Sequence, residues 1–166
     1  VDLNNGVYLD KDILNGSKTN FCMGVSGYPE KHFEAPSMEF DLQKAKEKVD
    51  AGAQYIMTQM FFDNKKYFEY VDACRSIGIN VPIIPGLKPI TNKKQLTVLP
   101  SIFFVDIPEA LSKAMNAATT DEACEQVGAE WLVQQSKELK AAGVPVLHYY
   151  TLGKPQVIKN VVAAVF

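Results

Sequence analysis

Four short apolar runs, each followed by a segment of helical periodicity, set the strongest limit on what this chain can fold into. Asn20-Phe21-Cys22-Met23-Gly24-Val25 ends in the turn signal Ser26-Gly27-Tyr28-Pro29. Leu42, Ala45 and Val49 then recur at helical spacing, with Lys44, Lys46, Glu47, Lys48 and Asp50 on the other face and Gly52 as a stop. Gln54-Tyr55-Ile56-Met57-Thr58 is followed by a helix carrying Tyr67, Tyr70, Val71, Cys74 and Ile77 on one side and closed by Gly78. Val81-Pro82-Ile83-Ile84 reads as a third strand broken by Pro85-Gly86. Lys93 to Leu99 suggests a short helix ended by Pro100, and Pro108 suits the first turn of another. Thr119-Thr120-Asp121-Glu122 resembles a capping box opening a long helix along which Cys124, Val127, Trp131, Leu132, Gln135 and Leu139 share a side. Val144 to Tyr150 reads as the fourth strand, and Pro155 to Phe166 as a last helix.

Strands apolar on both faces, alternating with amphipathic helices, imply a parallel sheet with helical crossovers. Two α/β architectures satisfy that pattern: an open four-stranded sheet, or half of a (βα)8 barrel, which when whole needs about 250 residues. The chain has 166 residues, so residues 1–166 are expected to form one domain, or part of one. Its 47% hydrophobic content excludes disorder as the main state, and its net charge of −2 argues against nucleic acid or an anionic membrane as primary partner. No apolar run reaches the ~20 residues of a membrane span, and no secretory leader pattern is present. Cys22, Cys74 and Cys124 lie far apart with no CxxC spacing, so neither a disulfide framework nor a zinc site is indicated, and a reducing cytoplasmic location fits.

In either architecture ligands gather at the carboxyl ends of the strands. Those ends carry Tyr28, Glu30, His32 and Glu34 after the first strand, Gln59 after the second, Lys88 after the third, and His148 and Tyr150 at the fourth. Taken singly most have plain structural readings: Gly-Tyr-Pro as a turn, His32 as a loop brace, His148 as a core histidine, Phe61 and Phe62 as core. Gln59 stands apart, because an amide at the end of a buried strand both donates and accepts and so suits the edge of a heterocycle. The chain holds no GxGxxG, P-loop, HExxH or GxSxG, so nucleophilic and metal mechanisms have no support.

Five segments carry a resemblance that no single one would. They are Gly27-Tyr28-Pro29-Glu30-Lys31-His32, Lys48-Val49-Asp50-Ala51-Gly52-Ala53, Thr58-Gln59-Met60-Phe61-Phe62-Asp63, Ile83 through Ile90, and His148-Tyr149-Tyr150-Thr151-Leu152. In this order they resemble the methylenetetrahydrofolate reductase family, from about Phe21 onward. The resemblance implies a (βα)8 flavoprotein that reduces 5,10-methylenetetrahydrofolate with NAD(P)H through FAD. It places this chain in the fifth to eighth strand–helix units. It further implies FAD contacts from Tyr28, His32 and Ala35, contacts to the ribityl or phosphate portion from Asp41, Lys44 and Lys48, and a place for Tyr150 at the mouth shared by flavin and substrate. Gln59 falls where the family's glutamine bonds the pterin of folate, and Gln95 and Lys154 at further folate contacts. Leu99 falls where an apolar side chain packs on folate's middle ring. The family's general-acid glutamate and flavin-tuning aspartate lie in the first half, so no catalytic residue is expected in this chain. Phe21, Met23, Ile56 and Ile83 are expected to line the barrel interior. The first half of the barrel, or a second copy of the chain, is the expected partner. The competing class is a non-catalytic α/β binding or assembly module that pairs with another chain.

Overall fold

The computed structural model describes residues 1–8, 16–151, 153 and 155–166, so Leu152 and Lys154 lie outside the described residues. A single sheet of four parallel strands runs in the order β1 (Gly24–Gly27), β2 (Tyr55–Met60), β3 (Ile83–Leu87), β4 (His148–Tyr149). Helices α1 (Met38–Asp50) and α2 (Asn64–Ser76) make the first two crossovers. The third contains α3 (Gln95–Phe103), α4 (Glu109–Ala117) and α5 (Asp121–Ala141), and α6 (Pro155–Val165) follows β4. Consecutive parallel strands in sequential order, each followed by helix, are the arrangement of a partial (βα)8 barrel.

The helices begin where local chemistry satisfies their free N–H groups. The Ser37 hydroxyl accepts from Phe40 N at 3.1 Å, the Asp63 carboxylate from Lys65 N at 2.9 Å, and the Thr120 hydroxyl from Ala123 N at 3.1 Å. The main core lies between one face of the sheet and α1, α2, α5 and α6, built from Ile56, Phe61, Tyr67, Tyr70, Cys74, Ile83, Leu87, Leu132, Leu139 and Val161. A second core under the carboxyl end holds Met60, Phe62, Ile90, Leu99, Leu111, Met115 and Cys124.

Several expectations shift. The first strand starts at Gly24, not Asn20, because Phe21 N bonds the Asn4 side-chain oxygen and Met23 N bonds that of Gln54, which takes those amides out of the ladder. Phe21 is 63% exposed. Pro85-Gly86 does not break the third strand. The lost proline N–H falls at an irregularity in the β2–β3 register between Met57 and Met60, and Gly86 N donates instead to the Thr58 hydroxyl at 2.9 Å. Pro100 likewise sits inside α3, which runs on to Phe103, and Pro108 caps α4 instead of lying in its first turn. The fourth strand shrinks to two residues: Val144 N is spent on the Leu139 carbonyl at the end of α5, and Pro145 has no N–H to offer.

The faces of the sheet correct one further expectation. Ile56 and Ile83 point into the helix layer, so they do not line a barrel interior. The period of two then puts Tyr55, Met57 and Gln59, half-buried, and Gly24 and Ser26, exposed, on the opposite face, which no helix covers among the described residues. Among the described residues no helix is long and apolar enough to cross a membrane.

Candidate functional site

Parallel pairing brings the sequence candidates to one edge. Gly27 is level with Thr58, so Tyr28 follows β1 at the height of Gln59, the last residue but one of β2. Leu87 is level with Tyr149, and Tyr150 N donates to the Leu87 carbonyl at 2.8 Å, which sets Tyr150 at the same edge beside Lys88. The Tyr150 hydroxyl reaches across β3 and donates to the Thr58 carbonyl at 3.0 Å, next to Gln59. That crossing requires Gly86: a Cβ there would stand 2.2 Å from the Thr58 oxygen and 2.7 Å from the Tyr150 ring. Burial, and then the neighbouring Tyr28 phenol, push the Tyr150 pKa upward, so its hydroxyl stays a donor at neutral pH.

Gln59 is half-buried, and its side-chain oxygen accepts from Met60 N at 3.0 Å. That bond fixes the carboxamide, whose nitrogen donates to no described residue. The loop after β1 is fixed just as firmly. The Tyr28 and His32 rings meet edge to face with centroids 4.6 Å apart. His32 N donates to the buried Asp41 carboxylate at 2.8 Å, and the Lys31 ammonium ties the His32 and Ala35 carbonyls at 3.0 and 2.6 Å. Asp41 therefore positions the His32 backbone, and Ala35 is buried against the same loop. Lys44 and Lys48 stand one turn apart on α1, both exposed; Lys44 pairs with Glu47 at 2.8 Å. Gln95, at the start of α3, accepts from Thr91 N at 2.8 Å and so braces the loop leaving β3. Leu99 is buried in the second core with Met60 and Ile90, adjoining the edge instead of projecting from it. Lys154 lies outside the described residues. His148 is only half-buried, its ring 4.7 Å from that of Tyr150, so it borders the edge and is no core histidine.

Two groups that the sequence placed at the strand ends, without a role, gain one here. Lys88 is 5% exposed, its ammonium donates to the Pro89 carbonyl at 2.9 Å, and burial lowers its pKa. A lysine inside an otherwise apolar run is the signal that marks it. Glu30 accepts from Asp106 N at 2.8 Å, and burial raises its carboxyl to about 7. With the stacked Phe33 and Phe104 rings, centroids 4.9 Å apart, Glu30 ties the β1 loop to the segment after α3. Nothing local in the sequence pairs residues so far apart. Among the described residues no three His, Cys, Asp or Glu side chains gather as metal ligands.

Comparison with known proteins bears on the chain as a whole. The family profile described as methylenetetrahydrofolate reductase matches residues 9–165. The 5,10-methylenetetrahydrofolate reductase of Salmonella typhimurium is 40% identical, covering 82% of this chain and 47% of that protein. The Escherichia coli enzyme of the same name is 39% identical over the same shares. Methylenetetrahydrofolate reductase (NADH) 1 of Arabidopsis thaliana is 36% identical, covering 92% of this chain and 28% of that protein. The chain thus spans about half the length of the bacterial relatives it matches, and less of the plant one. Among solved structures, an uncharacterized protein from Clostridium thermocellum that binds two copies of 5-methyl-5,6,7,8-tetrahydrofolic acid aligns with a TM-score of 0.55 at 17% identity, covering 85% of this chain and 51% of that one. That likeness is one of fold. With the profile spanning nearly all of the sequence, this chain belongs to the methylenetetrahydrofolate reductase family.

Proposed function

We propose that this chain forms the second half of a reductase barrel that converts 5,10-methylenetetrahydrofolate to 5-methyltetrahydrofolate with NAD(P)H and FAD. The observation that carries the reading is the shared carboxyl edge of Tyr28, His32, Gln59 and Tyr150, in a chain whose family acts on this substrate. The folate-binding protein from Clostridium thermocellum, similar in fold, adds support for a folate at such an edge.

The residues present fit FAD. Lys44 and Lys48, exposed and one turn apart on α1, are the charge-assisted donors a pyrophosphate needs. Tyr28 and His32, edge to face in a loop pinned by Asp41 and Lys31, offer a fixed aromatic wall, with Ala35 packed behind. When bound, FAD supplies the hydride relay between NAD(P)H and folate. Gln59 presents its free carboxamide nitrogen to the pterin edge, and its oxygen is held still by Met60 N. Tyr150 donates across β3 and closes the floor between Gln59 and Lys88. Gln95 and Lys154 are assigned to folate's more distant polar groups and Leu99 to its middle ring. The acid that protonates the folate nitrogen, and the carboxylate that tunes the flavin, are assigned to the barrel's first half.

The uncovered sheet face, with its half-buried Tyr55, Met57 and Gln59, is where that first half would close the barrel. Producing the two halves separately and mixing them tests the reading. The mixture is expected to bind flavin, turn yellow and oxidise NAD(P)H in the presence of methylenetetrahydrofolate, while this chain alone does not turn over. A mixture of two folded halves with no reductase activity would count against it.

A further inference from the structure

The loop that carries Tyr28 and His32 is clasped to the segment after α3 by two contacts. Glu30 Oε2 accepts from Asp106 N at 2.8 Å, and the Phe33 and Phe104 rings stack with centroids 4.9 Å apart. Among the described residues, only Lys31 and Phe104 hold a non-glycine backbone in the left-handed region, at φ of 72° and 55°. Lys31 follows Glu30 directly, and Phe104 lies just before Val105 and Asp106. Residues with a side chain stay in that region only where surrounding contacts fix them, and such strain collects at functional sites. Here one strained residue sits on each jaw of the clasp.

The carboxyl at its centre resists ionisation. A cavity of about 330 Å³ beside it is lined by Glu30, Lys66, Glu69, Tyr70, Phe104 and Asp106, among others. The charged groups around Glu30 are thus Asp106 on the opposing segment and Lys66 and Glu69 on α2, while α1 presents Met38 to this cavity. Lys66 Nζ is paired with the Asp106 carboxylate at 3.5 Å. On Glu30's own loop the Lys31 ammonium is tied to the His32 and Ala35 carbonyls, and His32 Nδ1 faces Glu34 at 3.9 Å. Burial, and then the Asp106 carboxylate, push Glu30 up to about 7, against the pull of the Asp106 N–H and of Lys66. With a proton, Glu30 keeps the bond from Asp106 N and can donate to the Asp106 carboxylate. Without one, two carboxylates face each other.

We propose that Glu30 is a positioning residue for the cofactor: its clasp holds the Tyr28–His32 wall in place against bound FAD, and one proton on the Glu30–Asp106 pair sets how often the clasp opens. The proposal rests on the assignment of this loop to FAD, and adds the residue that holds the loop and the proton that governs it. Opening returns Glu30 to water, where its carboxyl regains the ordinary value of 4.5. The closed loop therefore binds the proton more tightly, and protons oppose opening. Opening becomes more frequent as pH climbs from 4.5 toward about 7, and levels off above that.

FAD release from the complete reductase, followed by flavin fluorescence, is expected to be about tenfold faster at about pH 8 than at about pH 6. Glu30→Gln keeps the acceptor oxygen and the donor of the protonated acid, so it should release FAD slowly at both. Glu30→Ala should release it fast at both. A merely structural role would not give a pH slope that the amide abolishes. His32 and Lys66 are unchanged in both variants, so a slope that survives in Glu30→Gln belongs to another group and overturns the proposal. Tryptic cleavage after Lys31 in the same holoenzyme, taken as the ratio of wild type to Glu30→Gln at each pH, reads loop opening without reference to flavin. That ratio is expected to rise about tenfold over the same range. A slope in cleavage with none in FAD release would overturn the proposal through the assignment of the loop to FAD. No slope in either would overturn it at the clasp itself.

Discussion

In the complete reductase, Gln59→Ala is expected to slow folate reduction roughly 5- to 150-fold while changing NAD(P)H oxidation by the flavin less than about twofold. The range is that of a buried amide contact worth about 1–3 kcal/mol. Gln59 is suited to such a contact because its oxygen is already committed to Met60 N and its nitrogen is not committed to any described residue. Removing it leaves the Tyr28–His32 wall and the lysines of α1 untouched. Stopped-flow measurement of the two half-reactions separates the outcomes. Equal losses in both would show that Gln59 supports the fold of the edge, or the flavin, and not the pterin.

Gly128→Ala is expected to destabilise the chain by about 3 kcal/mol, against the usual gain of about 1 kcal/mol for that change inside a helix. Gly128 lies within α5, and a Cβ there would stand 1.7 Å from the Ile90 carbonyl oxygen and 2.7 Å from its carbon. The obstacle is backbone, which cannot rotate away as a side-chain tip can. Ile90 belongs to the segment leaving β3, which leads through Thr91 to Gln95. The substitution therefore pushes on the loop that carries a proposed folate contact, and loss of folate affinity should accompany loss of stability. Chemical denaturation with and without the substitution gives the sign. A stabilised variant would mean that α5 and this loop are not packed as described.

Much of the fold was legible because buried parallel strands and amphipathic helices leave different periods in the sequence. Parallel pairing and the helices around Ala45, Tyr70 and Leu132 follow from that contrast, while the sequential strand order also needed the barrel resemblance. Proline misled the reading at Pro85, where an irregularity in the β2–β3 register takes up the missing N–H, and at Pro100, which sits inside α3. The face of the strands was misassigned at Ile56 and Ile83, because a run apolar on both sides does not say which side meets helices. The carboxyl edge was legible because parallel strands end together, which needs no knowledge of side-chain contacts. The tie of Glu30 to Asp106, and the contact of Gly128 with Ile90, join residues far apart in sequence. A glycine in the interior of a long helix was the only trace the second one left.

The central claim is that these residues make one side of a barrel and not a self-sufficient domain. Half a barrel leaves two sheet edges, here β1 and β4, and an uncovered sheet face. Sedimentation velocity of the isolated chain at micromolar concentration, with FAD present and absorbance followed at flavin wavelengths, measures association and cofactor retention together. The account predicts a dimer or larger assembly in which FAD sediments weakly and substoichiometrically. A single monomeric species carrying one tightly bound FAD per chain would contradict it.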